Sequence, residues 1–103
     1  MNEQYINEAN RLIAHFMGYS NITKSNQEPI ERPKLEFQSS WDLLMPVWHQ
    51  LKTAIFEDFE SNDRYLFTSV LSKINQAIFD EDIEAMFIAI DEGIILHYRL
   101  MNN

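Results

Sequence analysis

The chain contains no cysteine, which removes disulfides, thiolate nucleophiles and every cysteine-based zinc site. Glycine occurs only twice, as Gly18 and Gly93, so neither a phosphate-binding loop nor a Gly-x-Ser-x-Gly nucleophile turn can be built. There is no apolar run of about 18 or more residues to span a bilayer. The start, Met1-Asn2-Glu3-Gln4, lacks the basic flank and apolar stretch of a secretory signal, so the expectation is a cytoplasmic protein without a membrane. Basic residues are few as well: 8 Lys and Arg stand against 16 Asp and Glu, for a net charge of −8. Affinity for a phosphate backbone comes mainly from cationic side chains, so direct binding to nucleic acid is not expected.

What is present is enough for one packed domain. In a chain of 103 residues, 46% are hydrophobic and 13% aromatic, a size at which roughly 60–70% of the unfolded surface leaves water. The charge is unevenly placed. Ten of the acids fall in residues 57–92 against only Arg64 and Lys73, so this stretch accounts for the whole imbalance.

Apolar spacing predicts an all-α fold, a small bundle of four helices at about 3–17, 40–56, 63–79 and 82–101, with a long loop over 19–38. In the first, Tyr5, Ile6, Ala9, Leu12, Ile13, Phe16 and Met17 share a face. Asn2 is placed to cap it and Gly18 to end it in a left-handed conformation. The loop carries Pro29 and Pro33. It is either pinned by Ile22, Ile30, Leu35 and Phe37 or a mobile, functional segment.

The second helix begins after Ser39 or Ser40. Its stripe of Trp41, Leu44, Trp48, Leu51 and Ile55 keeps phase across Pro46, which favours one kinked helix over two. Residues Glu57 to Asp63 read as a solvated break, with Ser61 or Asn62 capping the third helix. The stripe of that helix is Leu66, Phe67, Val70, Leu71, Ile74, Ala77 and Ile78. The acids Asp80, Glu81 and Asp82 open the fourth, where the helix dipole favours them. Gly93 inside that helix costs about 1 kcal/mol against Ala unless another helix crosses closely there. An alternative α+β reading places short strands near 34–38, where apolar and polar residues alternate, and near 65–78, where Tyr, Phe, Thr, Val and Ile suit strands.

Three blocks, Ile13-Ala14-His15-Phe16-Met17-Gly18-Tyr19, Ser40-Trp41-Asp42-Leu43-Leu44-Met45-Pro46-Val47 and Ile83-Glu84-Ala85-Met86-Phe87-Ile88-Ala89-Ile90, together resemble a group of small uncharacterised proteins. That group is encoded by phages and mobile elements of Bacteroidetes, and the central Ser-Trp-Asp-x-Leu-Met-Pro-Val block is its most specific feature. The blocks cover about a third of the chain. The resemblance implies a mobile-element origin and short strands between the second block and the last helix, but supplies no activity. This chain departs in two places: the interval is brief and helically patterned, and Trp48-His49-Gln50-Leu51 replaces a more charged continuation.

Candidate chemistry is thin. His15, His49 and His97 lack both a Glu three residues earlier and a His four residues away, the spacings by which helices hold metals. Asp80-x-Asp82-x-Glu84 with Asp91 echoes a calcium loop, but Ala85 stands where that loop needs Gly. No residue is assigned as catalytic, cofactor-binding or metal-ligating, and no cofactor is expected.

The reading is a non-enzymatic accessory protein acting through protein–protein binding, the partner being an unidentified protein or a second copy. Trp41, Trp48, Asp80, Glu81, Asp82 and Glu84 are the candidate partner surface, although large aromatics at helical spacing such as the Trp pair are more often core. The alternatives are an acidic DNA-mimic inhibitor and a small metal-dependent hydrolase.

Overall fold

The computed structural model describes residues 1–19 and 36–102, with the backbone alone at Ser61. Among the described residues there are helices and turns but no strand. The order is α1 (Glu3–Phe16), a 3-10 turn (Phe37–Ser39), α2 (Trp41–Asp58), a short α3 (Ser61–Arg64), a second 3-10 turn (Tyr65–Phe67), α4 (Thr68–Phe79) and α5 (Ile83–Met101). The all-α expectation holds. Strands at 65–78 are replaced by helix, and of the 34–38 alternative, Phe37 and Gln38 lie in a 3-10 turn while residues 34 and 35 fall outside the described residues. Ile22, Ile30 and Leu35 of the expected loop also lie outside them.

Local chemistry sets the helix ends. The Tyr5 amide donates to Asn2 Oδ1 at 2.7 Å, and Gly18 takes φ +83°, the left-handed conformation that stops α1. Gln50 Nε2 on α2 donates to the freed carbonyl of Phe16 at 3.0 Å. Asn10 fastens the first 3-10 turn to α1: its Oδ1 accepts from the Phe37 amide and its Nδ2 donates to Gln38. Ser40, rather than Ser39, caps α2, its Oγ accepting from the Leu43 amide.

The helix then runs continuously through Pro46. Proline removes the bond toward the Asp42 carbonyl, one turn from the start and on an exposed side, where solvent can replace it.

Three expectations fail beyond Asp58. The acidic stretch reads as solvated, yet Phe59 is buried, its ring 5.3 Å from Phe67 and 5.6 Å from His97. Arg64 turns back to cap α2, donating to the carbonyls of Phe59 and Phe56 at 2.8 and 2.9 Å. Neither Ser61 nor Asn62 caps the next segment; Glu60 holds that position without a side-chain bond. The helix expected at 63–79 is divided by the 3-10 turn, whose tighter winding places Phe67 in the core and leaves Leu66 at the surface.

The hub of the fold is α5. It packs against α1, α2, α4 and the first 3-10 turn. It buries Met86, Phe87, Ala89, Ile90, Gly93, Ile94 and His97, a wider arc than a surface helix offers. Gly93 is the crossing point anticipated from its cost: a Cβ there would lie 2.9 Å from Leu51 Cδ2 and 3.0 Å from Val70 Cγ1. α4 covers the remaining side of α5 through Val70, Ile74 and Ala77.

Candidate functional site

The six residues expected as a partner surface fall in two settings, the Trp pair on α2 and the four acids around the α4–α5 turn. Trp48 is 7% exposed, inside the core, with the Lys52 ammonium 5.4 Å from its ring. Trp41 is half-buried at the head of α2, packed against the edge of the core. Asp80, Glu81, Asp82 and Glu84 are exposed at the turn between α4 and α5, where three have structural duties. Asp80 accepts from Gln76 Nε2 at 2.9 Å, and Asp82 Oδ1 caps α5 by accepting from the Ala85 amide at 3.1 Å. Glu81 takes φ +54° so that its amide reaches the Ile78 carbonyl while that of Asp82 reaches Ala77, a Schellman ending normally given to glycine.

Two buried polar pairs went unread in the sequence. Tyr5 donates its hydroxyl to Asp91 Oδ2 at 2.9 Å, joining α1 to α5. Asp91 is only 4% exposed, and burial lifts its carboxyl above the usual range; the Tyr5 bond opposes this and the charges of Glu92 and Glu8 add to it. Burial and the bond to Asp91 push the Tyr5 hydroxyl upward in turn.

The second pair is His97 Nε2 with Asp58 Oδ2, at 2.9 Å. A carboxylate accepts only, so Nε2 carries the proton. Nδ1 is buried with no partner among the described residues, and the rings of Phe16, Phe59 and Tyr98 stand edge-on around the imidazole. An Asp–His pair can orient a general base, but among the described residues the free nitrogen meets no hydroxyl to activate. His15 and His49 are exposed, and among the described residues no group of three His, Cys, Asp or Glu could hold a metal. Among those residues, too, no helix is long and apolar enough to cross a membrane.

The surface that stands out is the outer side of α4. Val70, Ile74 and Ala77 face α5, so helical geometry turns Thr68, Ser72, Asn75, Gln76 and Phe79 away from the core. These residues and Leu71 line a shallow groove that carries no charged side chain. Phe79 is 84% exposed, and Tyr65, on the turn that leads into α4, is 68% exposed. The nearest cation on the helix, Lys73, lies at its flank and pairs with Glu92 on α5 at 3.0 Å. Phe79 sits outside the Val70–Ile74–Ala77 register, and that misfit was the signal available in the sequence.

No protein-family profile, curated protein or solved structure matches the chain.

Proposed function

We propose that the protein acts by binding protein through the outer face of α4, as a non-enzymatic accessory protein of the phage and mobile-element kind its three sequence blocks resemble. The observation that carries this reading is Phe79, a large aromatic left 84% exposed in an uncharged groove while the opposite side of the same helix is fully packed. Aromatic enrichment with depletion of charge is the composition of interface centres rather than of ordinary surface. The surrounding acids then form a solvated rim that keeps the chain soluble and excludes partners that do not match.

The test is photo-crosslinking in an extract of the host, with a benzophenone label on Ser69→Cys at the edge of the groove. A crosslinked protein that is lost on Phe79→Glu supports the reading. Labelling that is indifferent to Phe79→Glu removes it.

A further inference from the structure

We propose, building on the reading of α4 as the contact face, that its occupant is a second copy of this chain. The two α4 helices then lie antiparallel about a two-fold axis through Ser72.

The face has the symmetry that such a pairing requires. Tyr65 and Phe79, the two most exposed large apolar residues among those described, stand the same number of residues before and after Ser72, Phe79 at the end of α4 and Tyr65 on the 3-10 turn that leads into it. An isologous contact sets residue i against j and j against i, so antiparallel pairing about Ser72 brings Tyr65 of each copy against Phe79 of the other. Thr68 and Gln76 exchange places in the same way. Serine at the centre allows the backbones to approach, with aromatic pairs closing both ends. An unrelated partner would have no need of this symmetry.

Charge selects the same occupant and the same orientation. Two chains of net charge −8 repel, and they can meet closely only where acids are absent; the groove of Thr68, Leu71, Ser72, Asn75, Gln76 and Phe79 is such a place. A parallel arrangement would stack the two exposed turns of Asp80, Glu81 and Asp82. The antiparallel one lays each acidic turn beside the other copy's Asp63 and Arg64, a mixed pair, instead of beside a second acidic turn. One twelve-residue helix with its leading turn offers less than the roughly 1,200 Å² of a standard interface, so the association is weak and concentration-dependent.

Because the chain has no cysteine, Ser72→Cys introduces a unique thiol at the proposed axis. Under copper-phenanthroline oxidation it should give a disulfide-linked dimer at least about tenfold faster than Thr53→Cys, an exposed position on α2. Sedimentation equilibrium of the unmodified protein, from micromolar to near-millimolar concentration, should show a reversible monomer–dimer equilibrium. Phe79→Glu should weaken it by about tenfold or more, and Met101→Glu, at another exposed apolar site, should leave it unchanged. Circular dichroism confirms that each variant is folded.

A monomer throughout this range, a dimer indifferent to Phe79→Glu, or equal oxidation rates at the two thiols would overturn the proposal. A monomer whose Ser69→Cys label still captures a host protein in a Phe79-dependent way overturns only the second-copy inference. A monomer with no such capture overturns the contact face as well.

Discussion

The imidazole of His97 and the carboxylate of Asp58, 39 residues apart, meet at 2.9 Å and tie the C-terminal ends of α2 and α5 together. The two ends of this bond are unequal. His97 is 7% exposed among aromatic rings, whereas the Asp58 side chain keeps about a third of its surface in water. Losing the carboxylate strands a buried N–H; losing the imidazole strands only an acceptor that water can reach. Asp58→Ala is therefore expected to cost about 1–3 kcal/mol. Asp58→Asn keeps an acceptor and should cost less. His97→Phe fills the same aromatic enclosure and removes the unpartnered Nδ1, so it should stay within about 1 kcal/mol of the parent. Urea denaturation of the three variants checks the order, and a His97→Phe loss larger than that of Asp58→Ala would refute it.

Asp91 gives a pH dependence whose sign is opposite to that of a salt-bridged carboxylate. Its folded pKa lies above the ordinary 3.8, so the folded chain holds the proton more tightly than the unfolded one. Stability contributed by this group is greatest below 3.8, falls as pH rises through the raised folded value, and stays low above it. Asn at this position is neutral at every pH and still accepts from Tyr5. The stability of Asp91→Asn relative to the parent should thus increase from about pH 3 toward pH 7 and then level off. Urea midpoints of both proteins across that range are the measurement, and a pH-independent difference would contradict it. Tyr5→Phe leaves the buried carboxylate without its donor and should cost about 1.5–3 kcal/mol at neutral pH, with a smaller loss in the Asp91→Asn background.

Features decided within a few residues were legible in the sequence. Asn2, Ser40 and Asp82 cap helices because a short polar side chain before an apolar period has an amide within reach. Gly93 was legible as a crossing because nothing local justifies it. What needed the third dimension was not legible. Phe59 sits among acids, and only the arrival of Phe67 and His97 makes its burial favourable. The 3-10 turn at Tyr65–Phe67 follows from the demand to bury Phe67, against a local pattern that reads as uninterrupted helix. The Trp pair drew attention by size, yet Trp48 serves the core and Trp41 only part of it. The candidate face depends on which side of α4 meets α5, and Tyr65 stands exposed on the 3-10 turn that leads into that helix.

Gly93 sets two effects of similar size against each other. Alanine in mid-helix gains about 1 kcal/mol of intrinsic propensity over glycine. Its Cβ, however, would come within 2.9 Å of Leu51 Cδ2 and 3.0 Å of Val70 Cγ1. Leucine could swing away in open space, but Leu51 is fully buried, and the β-branched Val70 is held to one strongly preferred rotamer in a helix. Overpacking should win, leaving Gly93→Ala destabilised by about 1–2 kcal/mol. In a Leu51→Ala background the added methyl enters a cavity instead, and the same substitution should become neutral or stabilising. A double-mutant cycle reads this directly, and additive effects would show that the helices do not meet as described.

Glu81 is the position where the chain gives up stability. Among the described residues it is the one non-glycine at positive φ, +54°, and it holds that conformation because the Schellman ending of α4 requires it. A left-handed L-residue costs about 1–2 kcal/mol, while glycine gives back about 0.5–1 kcal/mol through the entropy of the unfolded chain. Glu81→Gly should therefore stabilise by about 0.5–1 kcal/mol. Removing an acid from a chain of net charge −8 would act in the same direction, so the backbone account needs a control that separates the two. Glu81→Gln removes the charge and keeps the strain; Glu81→Asn removes the charge and tolerates the left-handed region better; Glu81→Val removes the charge and tolerates it least. If φ governs, the order of stability is Gly, Asn, Gln and Val, with Val below the parent. If charge governs, all four variants rise together, and thermal midpoints at low and high salt distinguish the cases because only the charge effect is screened.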